Sequence, residues 1–156
     1  MFYKMTTLLA AAALAAPAMA QDLASGDADE GERVFNQCKS CHMIVDDEGE
    51  NIVRGGRVGP NLYGVVGRTA GTYDDYRYSD MMVAAGEGGL AWDEESFVAY
   101  VQDPNGFLQE QTGDSGRAKM TFRARSEDDA VNAWAYLVSV SPAPEMADED
   151  MADEES

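Results

Sequence analysis

Within the 156 residues, Cys38-Lys39-Ser40-Cys41-His42 is the stretch that carries the most chemistry. Two thiols three positions apart lie on one side of a helical turn, and a histidine follows the second directly. This C-x-x-C-H spacing is the one by which haem is attached covalently. The thiols reach the two vinyl groups of one porphyrin as thioethers, and the imidazole is carried under the iron, where a neutral nitrogen is a good axial ligand. Cys38 and Cys41 are the only cysteines in the chain, and His42 is the only histidine.

Other chemistries use such cysteines. A structural zinc site needs four ligands, usually Cys or His; this chain offers three, two of them adjacent. A disulfide between Cys38 and Cys41 would close too small a loop to stabilise a domain much. A redox dithiol of the thioredoxin type sits beside a βαβ pattern that is not visible here, and it remains the main alternative.

The elements that must position this motif can be read along the chain. Residues 1–20 read as a secretory signal peptide: Lys4, then an apolar run from Leu8 to Ala16 too short to span a bilayer, then the small-x-small pattern Ala18-Met19-Ala20. Export agrees with the motif, because thioether-linked haem in bacteria is attached outside the cytoplasmic membrane. Residues 21–144 read as one domain. A helix is expected from Asp27 to about Cys41, with acids crowding its first turns. Gly31 inside it is costly unless another element approaches closely. Asp46–Glu50 reads as an acidic loop, and Arg54–Arg68 as a glycine-rich segment wrapping something flat. A short helix is expected from Ser79 to Ala85, ended by Gly86. Another starts at Asp93 and stops at Asp103-Pro104. Residues 105–119 read as a polar loop, interrupted by Met120-Thr121-Phe122. Ala130 to Val140 is the longest apolar helix, with Ser126 before it as a cap. Residues 145–156 form an acidic tail with seven acids, expected to be disordered.

Removing residues 1–20, whose one charge is Lys4, takes the formal net charge from −18 to −19. So acidic a chain is a poor ligand for nucleic acid or an anionic membrane surface. No later apolar run is long enough to cross a bilayer, so no membrane insertion is expected after signal cleavage. There is no phosphate-binding glycine loop and no repeat of solenoid length.

Four blocks, in order, resemble the class I cytochromes c, most closely the larger bacterial kind known as cytochrome c2. They are Gly-x-x-x-Phe-x-x-Cys-x-x-Cys-His at 31–42, Gly-Pro-Asn-Leu-x-Gly-x-x-Gly-Arg at 59–68, Tyr-x-Tyr…Trp…Tyr-Val-x-x-Pro at 76–104, and Lys-Met-x-Phe at 119–122. The resemblance implies an all-α fold, helices and long loops wrapped around one covalently bound haem c. It also implies roles. Met120 would be the sixth iron ligand. Among the methionines after the signal, Met43 adjoins His42, Met81 and Met82 sit at helical positions, and Met146 and Met151 lie in the tail. Only Met120 breaks a polar loop far enough along the chain to cross the haem; the plain alternative is a methionine filling a gap in the core. The Pro60 carbonyl would accept from the outer imidazole nitrogen of His42, fixing the ring and raising its basicity. Tyr100 would hydrogen-bond the methionine sulfur. Tyr78, Trp92 and Arg68 would solvate the haem propionates, which are costly to bury without donors. Gly31 and Phe35 would cross the last helix against Trp134, Tyr136 and Leu137.

The chain also departs from the pattern. Ala118 stands where a threonine often helps bind a propionate, the segments before Met120 and at 80–91 are longer than in short members, and lysines are few. The implied function is a periplasmic electron carrier, not an enzyme and expected to be a monomer. It would pass electrons from a cytochrome bc complex to a terminal oxidase or photosynthetic reaction centre. The rival is a haem peroxidase or gas-binding protein with an open sixth site, although no second histidine is present to act as distal acid–base. Arg117, Lys119, Arg123 and Arg125 cluster around Met120, and Lys39, Arg54 and Arg57 lie near the other blocks. They would form a positive rim on an otherwise negative protein.

Overall fold

A computed structural model describes residues 23–142. The stretch read as a signal peptide, residues 1–20, and the acidic tail from residue 145 lie outside the described residues. The elements run α1 (Ala28–Phe35), β1 (Ile44–Val45), β2 (Asn51–Val53), α2 (Asp80–Glu87), α3 (Glu94–Gln102), α4 (Pro104–Thr112) and α5 (Glu127–Val140). The architecture is helix-rich, as expected, with one small antiparallel hairpin that an all-α reading does not include. No helix among the described residues is long and apolar enough to cross a membrane.

Asp27 caps α1, its side chain accepting from the Glu30 amide at 2.9 Å. The helix stops at Phe35, six residues short of the expected end. Beyond it the regular ladder gives way to mixed turns: Gln37 N–H to Val34 O at 3.0 Å, Cys38 N–H to Phe35 O at 2.8 Å and Cys41 N–H to Cys38 O at 3.0 Å close over three residues, while Lys39 N–H to Phe35 O at 3.0 Å and His42 N–H to Cys38 O at 2.9 Å close over four. The Asn36 side chain donates to the Arg33 carbonyl at 3.2 Å, taking an acceptor that a continuing helix would use. The cysteines therefore sit on tight turns after the helix.

α1 crosses α5 at Gly31. A Cβ there would strike the Asn132 carbonyl and come within 2.8 Å of the Tyr136 Cβ. Phe35 packs on Tyr136, ring centroids 5.4 Å apart. The crossing residues on α5 are thus Asn132 and Tyr136, four apart on one helix face. Trp134 packs instead on Phe97 of α3 at 5.2 Å and donates its indole N–H to the Leu23 carbonyl at 2.7 Å.

α2 runs two residues past its expected end, because Gly86 stays inside it. A Cβ at Gly86 would meet the Ala70 carbonyl, so that glycine serves a close approach rather than a stop. The larger correction is α4, which occupies much of the expected 105–119 loop. Asp103 ends α3 and its side chain caps α4, accepting from Gly106 N–H at 3.2 Å. Pro104 follows at the first helical position, and Gly113, at φ 71°, closes the helix in the left-handed region. Asp-Pro, read as a stop, is also a start. Leu108 is fully buried, and Phe107 packs against Trp92 and Tyr100 at 6.4 and 5.9 Å. These two side chains supply the burial that the helix's polar sequence hides.

Candidate haem-binding site

The segment after Gly55 is laid beside the cysteine turns. Gly56 N–H donates to Lys39 O at 2.9 Å, Gly59 N–H to Cys41 O at 2.9 Å, and Leu62 N–H to Met43 O at 3.1 Å. Asn61, the one buried polar side chain among the described residues, extends this ladder. Its Oδ1 accepts from Val45 N–H at 3.0 Å and from Tyr63 N–H at 3.1 Å, and its Nδ2 donates to Val45 O at 2.7 Å. It acts as a peptide group would on the free edge of β1.

This ladder fixes the peptide carrying the Pro60 carbonyl, which lies 2.8 Å from His42 Nδ1. A carbonyl can only accept, so Nδ1 bears the proton and Nε2 keeps its lone pair. Burial lowers the His42 pKa below its ordinary value, and the bond to Pro60 only partly opposes that. The imidazole is therefore neutral at physiological pH and fit to ligate a metal. A Cβ at Gly59 would stand 2.6 Å from Nδ1, so glycine there lets the ring lie against the loop.

Arg68 and Trp92, distant in sequence, meet through their backbones: Trp92 N–H donates to Arg68 O at 3.0 Å and Gly67 N–H to Trp92 O at 2.8 Å. The Arg68 guanidinium donates to the carbonyls of Asn61 and Tyr63 at 3.1 and 3.2 Å and lies 5.4 Å from the Tyr73 ring centre. Burial lowers its pKa below the ordinary value, and Tyr78 and Tyr73 partly restore it. Tyr78 packs edge-on to Tyr76 at 4.8 Å, and Tyr100 on Trp92 at 5.1 Å. Burial raises the pKa of both Tyr78 and Tyr100, so both hydroxyls remain donors.

Cys38, Cys41, His42, Pro60, Arg68, Tyr78, Trp92, Tyr100 and Met120 all line one cavity. Its other walls are mostly apolar, among them Val65, Met82 and Leu137. These residues fit haem c. Both thiols are free, and Cys38, pushed up to about 11 by burial and then by Cys41, stays a neutral thiol. A neutral imidazole and a thioether line the same space. Arg68 is half-buried with no carboxylate within salt-bridge distance among the described residues, which suits an anionic group at that end. His42, Met120 and the thiols would hold the group; Arg68, Tyr78 and Trp92 would supply polar contacts.

Asn61 and the polar face of α4 were not picked out from the sequence. Asn61 stood inside the 59–68 block without a role. The α4 face was hidden by the loop reading, although Asp103-Pro104 and Gly113 signal both its ends. The basic residues near Met120 are not all free. Arg123 pairs with Asp103 at 2.7 Å, and the Lys119 ammonium donates to the Arg77 carbonyl.

Comparison with known proteins agrees with the fold and the cavity. The cytochrome c family model matches residues 28–153. The cytochrome c2 of Cereibacter sphaeroides is 54% identical over 148 residues, covering 92% of this chain and all of that protein. The cytochrome c-551 of Roseobacter denitrificans is 52% identical over 138 residues, 88% of this chain and 94% of that one. Among solved structures, cytochrome c2 from Rhodobacter sphaeroides matches with a TM-score of 0.74 at 56% identity, covering 77% of this chain and all of that one. Ferric cytochrome c-550 from Paracoccus versutus matches at 0.71 and 41%, covering 76% of this chain and all of that one. The chain therefore belongs to the cytochrome c family, as a class I electron-transport cytochrome of the bacterial cytochrome c2 type with a covalently bound haem c.

Proposed function

We propose that this cytochrome is a diffusible periplasmic carrier of single electrons, not an enzyme, with His42 and Met120 as axial ligands. It would take electrons from a cytochrome bc complex and give them to a terminal oxidase or photosynthetic reaction centre. The observation that carries the reading is that the chain's only histidine, held in one tautomer by Pro60, shares a cavity with Met120. When bound, the haem iron supplies the one-electron couple. The Pro60 carbonyl raises the basicity of the imidazole, while a thioether from Met120 is a soft neutral donor that favours the ferrous state and a higher potential. The apolar walls exclude water and disfavour the form with extra positive charge. Arg68, Tyr78 and Trp92 offer donors to the propionates, and Tyr100 to the methionine sulfur.

The test is the spectrum of the ferric holoprotein. Low-spin iron with the far-red band of sulfur ligation is expected, and Met120→Ala should abolish that band. A high-spin spectrum at neutral pH with rapid carbon monoxide binding when reduced would instead favour the gas-binding rival.

Docking is proposed at the mouth of the cavity. Val58 lines the cavity yet is 72% exposed, and Arg54, Arg57, Arg117 and Arg125 are exposed. None of these four arginines has an acidic partner within salt-bridge distance among the described residues. An apolar contact with surrounding positive charge orients an acidic redox partner even when net charge opposes approach.

A further inference from the structure

Met120 lies in a segment with an unusual kind of support. Between α4 and α5, from Asp114 to Arg123, no backbone group joins a backbone–backbone hydrogen bond among the described residues; the first is Ala124 N–H to Val101 O at 2.8 Å. Apart from the Lys119 ammonium on the Arg77 carbonyl, the side chains that hold the segment before Met120 come from α4. The Asn105 side-chain oxygen accepts from Ala118 N–H at 2.9 Å, and the Gln109 side-chain amide donates to Gly116 O at 3.1 Å. Asn105 and Gln109 are four residues apart, so both project from one face of α4. Leu108 is fully buried and Phe107 packs on Trp92 and Tyr100, which themselves line the cavity. α4 is thus anchored to the cavity wall by its apolar side chains and grips the methionine segment with two amides.

We infer that Asn105 and Gln109 are positioning residues for Met120, setting how often the thioether leaves the cavity and an external ligand enters. The inference rests on the proposed ligation by Met120. Neither residue touches the cavity. Both act through the backbone two and four residues before the methionine, where Ala118 has no hydroxyl to make a contact of its own. Losing one net hydrogen bond of ordinary strength shifts an opening equilibrium about fivefold.

The probe is imidazole at saturating concentration, mixed with the ferric holoprotein while the sulfur band is followed. At saturation the rate reports departure of the methionine segment. Asn105→Ala and Gln109→Ala should each speed loss of the band about fivefold, and together roughly twenty-five-fold. Asn105→Asp, which keeps an acceptor oxygen, should stay within about twofold of wild type. Alanine is the best helix former, so a faster rate in the alanine variants is not a weakened α4. In the unsubstituted protein, the Ala118 amide should exchange with solvent much more slowly than that of Arg117, which has no acceptor among the described residues. Wild-type rates in Asn105→Ala and Gln109→Ala, or an unprotected Ala118 amide, would overturn the inference while leaving Met120 as ligand. A wild-type ferric spectrum without the sulfur band would overturn the ligation and the inference together.

Discussion

On the side of the cavity that bears His42, the chain is hydrogen-bonded to itself. Residues 56–62 run beside residues 39–45 through backbone rungs, and the Asn61 amide completes the series on Val45. On the side that bears Met120, ten successive residues make no backbone rung among the described residues, and the grip comes from Asn105, Gln109, Lys119 and the Arg123–Asp103 pair. Backbone rungs next to buried side chains cost their full desolvation when broken. Side-chain grips at a half-exposed surface cost much less. The histidine side is therefore the fixed wall and the methionine side the yielding one. Under the proposed ligation, one wall would hold a ligand that should never leave, and the other a ligand whose departure is a local event far short of unfolding.

The contrast can be broken from its strongest point first. Gly31→Val forces methyl groups into the Asn132 backbone where α1 meets α5, and α1 leads directly into the cysteine turns. A loss of roughly 3 kcal/mol in chemical denaturation of the holoprotein is expected. A loss under about 0.5 kcal/mol, normal for a bland surface site, would show that the fixed wall does not depend on this crossing.

Asn61→Leu tests the wall itself. It leaves the Val45 N–H and C=O without their partner, at an expected cost of about 2–4 kcal/mol. Loosening Pro60 also weakens its hold on His42 Nδ1, so the imidazole becomes a poorer donor and the reduction potential should rise. A stability loss with an unmoved potential would confine Asn61 to the scaffold. On the yielding wall, Asn105→Ala should cost about 1 kcal/mol or less in global stability, its effect appearing in ligand entry. If it destabilised the protein as much as Asn61→Leu, the two walls would not differ in kind.

The smallest effect on the fold belongs to the rim. Arg117→Gln with Arg125→Gln should leave stability within about 0.5 kcal/mol. The electron-transfer rate to an acidic redox partner should fall at low salt, and its salt dependence should flatten, because that attraction is what salt screens. An unchanged or faster rate would remove the basic rim as the docking surface. Arg123 is left out because Asp103 already neutralises it.

Much of this was legible in the residues. Cys38, Cys41 and His42 declare a covalent haem by type and spacing, because thioether formation and axial ligation fix both. Gly31 announced a close approach because a helix does not otherwise keep a glycine there. The caps Asp27, Ser79, Asp93 and Ser126 are local events, decided by side chains within three residues of the amides they accept. The blocks at 59–68 and 119–122 placed Pro60 and Met120 by their likeness to a family.

Tertiary structure decided the rest. α4 forms on a weakly patterned polar sequence because Phe107 and Leu108 find Trp92, Tyr100 and the core, partners that no local window contains. The first helix ends at Phe35 because the turns beyond it must present both cysteines and pair with residues 56–62. Arg68 reaches Trp92, Asn61 reaches Val45, and Asn105 reaches Ala118 across gaps that only the folded chain closes. The sequence by itself determined which cofactor is bound, since covalent attachment depends on chemical type and near spacing. Which side of that cofactor is rigid and which yields depends on where distant amides find their partners, and packing alone settles that.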